Sequence, residues 1–211
     1  MKSIGGIGRL HVLTDTVIQE TFSHVELAGM AAAGGADVVQ YRQKQGSTRS
    51  LIETAAQIKT VCRAAGAVFI VNDRIDVALA VEADGVHLGQ EDFPIRLARE
   101  LLGPERIIGG SASTPEEARA CVEDGADYIG YGPVFTTTSK DDAGPACGLE
   151  GLRQLCGSID VPVIAIGGVS QDNAARVLES GAHGIAVISS VCCQVDPEEA
   201  AHRLCGLIRG E

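Results

Sequence analysis

Tryptophan is absent from this chain, and aromatic residues of all kinds make up only 3% of it. A core so poor in rings must be packed from Ala, Val, Ile and Leu, and the 26 glycines let backbone lie close to backbone. That palette suits helices laid against a buried parallel sheet. Cations are scarce too: 17 Lys and Arg stand against 28 Asp and Glu, a formal charge of −11. The negative field argues against nucleic acid or an anionic membrane surface as partner. No apolar run reaches transmembrane length. The opening MKSIGGIGRL has no apolar signal segment, so a cytoplasmic protein is expected. Cys-x-x-Cys spacing is also missing. Seven cysteines, an odd number, exclude neither a thiol nor a loose metal ligand, but they make a disulfide framework or structural zinc a poor reading. Cys62, Cys121 and Cys205 fall in helical patterns and read as small core hydrophobes. Cys147 lies in a polar loop and is the thiol to examine for reactivity, although no base that would make it a thiolate is evident nearby.

What is present is a repeat. Eight apolar runs read as strands, at 9–15, 37–42, 67–71, 85–89, 106–111, 127–132, 161–166 and 183–189. Helical patterns separate them at 24–35, 48–66, 74–83, 94–103, 114–125, 149–157 and 170–181, and a last helix covers 196–210. Thr114-Pro115 with Glu116 and Glu117 is a helix start, and Gly125 is its stop. A weaker echo lies on top. Gly35-Ala36-Asp37, Glu82-Ala83-Asp84, Gly125-Ala126-Asp127 and Gly181-Ala182-His183 precede strands two, four, six and eight. Eight strand–helix units of about 26 residues predict a single-domain α/β fold over 1–211, a (β/α)8 TIM barrel at the compact end of its range. An open doubly wound sheet is the alternative. Oligomeric state is open, with a homo-oligomer allowed.

In such a barrel the chemistry sits at the C-terminal ends of the strands. Here every end is polar or glycine-rich. Gln40, Arg42 and Lys44 alternate after strand two and share a face, which suits an anion of several charges; a surface ion pair is the plainer reading. Asn72 and Asp73 follow strand three. His87, Gln90 and Asp92 follow strand four, His87 being either a core histidine or a site residue. Asp73 and Asp92 with no His/Cys cluster suit Mg²⁺ rather than zinc; each alone could instead cap the following helix. Ser111 ends strand five. Gly167-Gly168 and Ile188-Ser189 follow strands seven and eight, where such barrels often bind phosphate through backbone N–H groups. The longest loop, 132–145, carries Thr137, Ser139 and Lys140 and reads as a lid over phosphate or as a disordered segment.

Taken together, LHVLTD, Q-x-R-x-K at 40–44, VNDR at 71–74, ADGVHLGQED at 83–92, GGS at 109–111, GADYIGYGPVF–TTTSK at 125–140, IAIGGV at 164–169 and VISSV at 187–191 resemble the thiamine phosphate synthase family over nearly the whole chain. The resemblance implies a transferase. It joins 4-amino-2-methyl-5-hydroxymethylpyrimidine diphosphate to 4-methyl-5-(2-hydroxyethyl)thiazole phosphate and releases pyrophosphate. It implies that Gln40, Arg42, Lys44 and Asn72 hold the pyrimidine diphosphate, that Asp73 and Asp92 hold Mg²⁺, and that Ser111 and Lys140 contact the leaving pyrophosphate. Thr137, Ser139, Gly168, Ile188 and Ser189 would bind the thiazole phosphate. Arg42, Lys44, Ser111 and Lys140 are the expected catalytic set. Many relatives carry a histidine two positions after the serine of the fifth-strand loop; here Ser111 is followed by Ala112 and Ser113. The sister thiazole tautomerases resemble the chain in fold but would leave Asp92 and Lys140 unexplained. A noncatalytic regulator that binds thiamine phosphate is a third reading.

Overall fold

The computed structural model describes residues 6–137, 139 and 144–210. Eight parallel strands close into one barrel in chain order. They are β1 (Leu10–Thr14), β2 (Val38–Tyr41), β3 (Val68–Asn72), β4 (Gly85–Leu88), β5 (Ile107–Ala112), β6 (Tyr128–Tyr131), β7 (Val163–Ile166) and β8 (Gly184–Val187). Closure is made by β1 pairing with β8, His11 opposite Ala186. The helices are α1 (His24–Ala33), α2 (Thr48–Ala65), α3 (Ile75–Ala80), α4 (Ile95–Leu102), α5 (Pro115–Glu123), α6 (Gly148–Cys156), α7 (Ala174–Glu179), α8 (Ser189–Cys192) and α9 (Pro197–Arg209). The expected single-domain (β/α)8 barrel is thus the observed fold.

Two apolar layers follow from the period-2 alternation of the strands. On β2, Val39 and Tyr41 face outward into the layer beneath the helices, while Val38 belongs to the barrel interior with Leu13, Ile70, Ile107, Tyr128 and Ile164. Gln40 occupies the next inward position of β2, opposite Leu13. The polar residues of the site therefore top the interior stack.

The repeated Gly-Ala-Asp echo has a structural cause at the opposite end. Asp37 accepts the N–H groups of Arg9 and Leu10 at 2.9 Å each. Asp84 accepts Phe69 N–H at 2.8 Å, and Asp127 accepts Ile108 N–H at 2.8 Å. Each carboxylate at the head of an even strand satisfies backbone donors at the head of the preceding odd strand. At the fourth repeat His183 substitutes, and its carbonyl accepts from Arg9 Nε at 3.1 Å. This is the stabilising face of the barrel.

Helix starts obey local chemistry. Ser23 with Glu26 and Thr114 with Glu117 form capping boxes, and Asp196 caps α9 ahead of Pro197. The pattern at 170–181 overstated α7, which begins only at Ala174. Asn173 accepts Ser170 N–H at 2.9 Å and donates to Gly168 O at 2.9 Å, so its side chain holds a turn where the periodicity implied a helix. The one-turn helix α8 had no periodicity to betray it. The N-cap positions of α3 and α4 are taken by Arg74 and Pro94, neither of which makes a side-chain cap bond.

Candidate active site

Above the apolar interior, the C-terminal rim opens into a cavity of about 420 Å³. Arg42 and Lys44 line one side of it. Arg42 donates to the carboxylate of Asp15, whose side chain is 1% exposed and also accepts Val17 N–H at 2.8 Å. The two plain readings of Arg42 therefore coexist: it has an acidic partner, and it also faces the cavity. Asp15 does not itself line the cavity; it holds Arg42 there, a partnership that no spacing along the chain announces.

Asn72, Asp73, Glu91 and Asp92 line the neighbouring arc. Asp73 sits at φ 62°, a left-handed conformation that costs a non-glycine residue about 1–2 kcal/mol. Its N–H donates to His87 O at 2.8 Å, extending the β3–β4 ladder by one bond. Asp92 Oδ2 accepts Gly89 N–H at 2.6 Å, which folds the Gly89–Asp92 turn back on itself. Gln90 donates to Ser111 O at 2.6 Å and ties that turn to β5.

The far side is built from the loops after β6, β7 and β8. Thr137, Ser139, Gly167, Gly168, Ile188 and Ser189 all line the cavity. Val134 N–H donates to Ile166 O at 2.9 Å and Phe135 N–H to Gly167 O at 3.0 Å, so the first leg of the long loop is pinned to the end of β7. Cys147 N–H closes its second leg on Pro133 O at 2.9 Å. Gly167 (φ 95°) and Gly168 (φ 64°) permit this close approach, since a Cβ on Gly168 would come within 2.8 Å of Thr136 O and of the Phe135 Cβ. Ser139 and Ser189 hydroxyls meet at 3.2 Å across the two loops. Lys140 lies outside the described residues.

Gln40 and His87 do not reach this cavity. With Ser111, which lines both spaces, they surround a small recess directly beneath it. Gln40 Oε1 is buried and has no hydrogen-bond partner among the described residues. His87 Nδ1 is 2.9 Å from the Tyr128 hydroxyl and its Nε2 is 2.9 Å from Ser111 Oγ. Cys147 is half-buried beside Tyr131, and burial pushes its thiol above the ordinary range, away from the thiolate.

A closed eight-stranded barrel whose catalytic-end loops meet around one polar cavity is an enzyme fold built for small molecules. A family model described as thiamine monophosphate synthase matches residues 10–191, and the chain belongs to that family. It is 51% identical to the thiamine-phosphate synthase of Salinibacter ruber over 97% of this chain and 90% of that one. It is 50% identical to the thiamine-phosphate synthase of Chloroflexus aurantiacus over 95% and 92% of the two chains. Among solved structures, a thiamine phosphate pyrophosphorylase from Pyrococcus furiosus superposes with a TM-score of 0.87, at 42% identity, over 96% of each chain.

Proposed function

We propose that this protein joins the hydroxymethylpyrimidine diphosphate to the thiazole phosphate, forming thiamine phosphate and pyrophosphate. The observation that carries the reading is the meeting of Arg42, Lys44, Asp73, Asp92, Ser111 and the Gly167-Gly168 turn on one cavity, in a chain half identical to thiamine-phosphate synthases.

The buried Gln40 Oε1 needs an N–H donor, and the 4-amino group of the pyrimidine carries one. With the ring over the recess, the diphosphate extends toward Arg42 and Lys44. Arg42, braced by Asp15, neutralises it without having to be reorganised. Among the described residues lining the cavity none is a His or Cys, and the two carboxylates fit a hard cation that keeps water and phosphate oxygens as its other ligands. Mg²⁺ held by Asp73 and Asp92 would supply charge stabilisation to the diphosphate as the C–O bond lengthens. Thr137, Ser139, Ser189 and the amides of Gly168 and Ile188 hold the thiazole phosphate on the opposite side. Lys140, by the resemblance, closes on the leaving pyrophosphate.

The chemistry is a substitution at the pyrimidine methylene. The C–O bond breaks, the electron pair leaves with pyrophosphate, and the amino-substituted ring stabilises the cationic carbon. The thiazole nitrogen, already positioned, then forms the new C–N bond. No side-chain nucleophile is needed, and the loop at 132–145 would keep water from the cation. Such an enzyme belongs in the cytoplasm; among the described residues no helix is long and apolar enough to cross a membrane.

The test is pyrophosphate release by purified protein, with Mg²⁺ and each substrate omitted in turn. Release that needs all three, with thiamine phosphate formed, is the expected result. Tight binding of thiamine phosphate without turnover would replace the reading with a regulator, and isomerisation of a thiazole phosphate precursor would replace it with a tautomerase.

A further inference from the structure

Beneath the cavity floor lies a polar cluster of which the reaction as described uses only Ser111. Tyr128 is 1% exposed, and among the described residues its hydroxyl bonds only His87 Nδ1. The His87 ring continues to Ser111 Oγ through Nε2. The His11 ring lies 5.4 Å from the Tyr128 ring, centroid to centroid. Space for this chain of groups is built into the backbone. A Cβ on Gly109 would overlap both the His87 and Tyr128 rings, and one on Gly130 would come within 2.8 Å of His87 Cε1. Both residues are glycines facing inward, on β5 and β6.

Hydrogen-bond accounting over the bonds of the described residues points to one arrangement of the protons. A buried hydroxyl proton needs an acceptor, and among the described residues the one bonded to the Tyr128 hydroxyl is His87 Nδ1. Nδ1 must then be bare, so the imidazole proton resides on Nε2 and is donated to Ser111 Oγ. Ser111 acts as acceptor toward the recess, and its own proton is left for the cavity above. The reverse arrangement, or a ring protonated on both nitrogens, strands the Tyr128 proton in the interior. It also places an acceptor, not a donor, on the route from Ser111 to an anion whenever Nε2 is bare.

We propose that Tyr128 is a positioning residue: through the His87 tautomer it turns the Ser111 hydroxyl proton toward the departing pyrophosphate. Burial raises the Tyr128 hydroxyl well above its ordinary range, which keeps it a donor. The inference rests on the proposed function for its catalytic consequence, but the proton arrangement does not.

Two measurements test it. Nitrogen-15 spectroscopy of histidine-labelled, substrate-free protein, with the His87 signal assigned through a His87→Gln variant, should show a protonated Nε2 and a bare Nδ1. A protonated Nδ1 overturns the proposal whether or not the protein turns over. Kinetically, Tyr128→Phe should lower kcat by about tenfold, the worth of one hydrogen bond to a charged group, with KM for the thiazole phosphate unchanged. In a Ser111→Ala background the same change should cost nothing further, because the proton it directs is gone. Losses that multiply would mean that Tyr128 acts by packing alone and would overturn the proposal. A wild-type protein that shows the expected tautomer but releases no pyrophosphate would overturn the functional reading and leave the proton arrangement standing.

Discussion

Arg42 reaches from the end of β2 back to Asp15 at the end of β1, and the pair is nearly sealed from solvent, the two side chains being 10% and 1% exposed. Asp15 is also held by Val17 N–H, so the carboxylate is fixed before the guanidinium meets it. Removing one member of a buried pair leaves the other charge without compensation. Asp15→Ala is expected to lower stability by about 3 kcal/mol. The milder Asp15→Asn should reduce kcat/KM for the pyrimidine diphosphate by about tenfold, as Arg42 loses its brace. Urea unfolding and steady-state kinetics on the two variants check this; an Asn variant of normal activity would remove Asp15 from the site.

Asp92→Asn separates charge from hydrogen bonding, because the amide oxygen still accepts Gly89 N–H. The fold should survive with stability changed by no more than about 0.5 kcal/mol. Turnover should fall at least about tenfold and the Mg²⁺ concentration for half-maximal rate should rise. Chelation of the wild-type protein should abolish turnover and added Mg²⁺ should restore it. Unaltered Mg²⁺ dependence in the variant would exclude Asp92 as a ligand.

Gly168→Ala adds a Cβ at φ 64°, against Thr136 O and the Phe135 Cβ. The left-handed backbone alone costs about 1–2 kcal/mol in a non-glycine residue. The loop after β6 must also shift, so KM for the thiazole phosphate should rise about tenfold while KM for the pyrimidine diphosphate holds. An equal rise in both constants would mean that the turn serves the whole cavity.

Acid should unfold this protein early. Burial lowers His11 and His24 to about 4, against an unfolded value of 6.5. The unfolded chain thus binds protons between pH 6.5 and 4 that the folded chain refuses, so stability falls as pH falls through that window. The slope is at most about 1.4 kcal/mol per pH unit for each histidine. His24, bonded through its ring nitrogens to Thr14 at 2.8 Å and Thr16 at 3.2 Å, offers the cleaner test. Urea midpoints of His24→Asn should vary less between pH 7 and pH 5 than those of the wild type; equal slopes would assign the acid sensitivity elsewhere.

The sequence alone determined the strand–helix repeat, because its evidence is local. Strand and helix periods, caps such as Thr114-Pro115, and the Gly-Ala-Asp echo are each confined to a few neighbouring residues, and eight repeats predict the barrel; the pairing of β1 with β8 is what excludes the open sheet. It also determined which residues stand at the strand ends, since the fold rule assigns chemistry to those ends whatever the side chains touch. Tertiary structure decided what those residues meet. Asp15 with Arg42, and Ser111 with His87 and Tyr128, are joined across strands by register, and no spacing along the chain encodes which inward positions share a height. Gly109 and Gly130 fall inside strand runs in the sequence; only in the closed barrel are they the room the His87 ring requires. Asn173 delaying the start of a helix pattern, and Gln40 and His87 lying under the cavity instead of in it, have the same origin. Pattern reports which face a residue is on, whereas depth and partner are set by how eight strands tilt and close around one another.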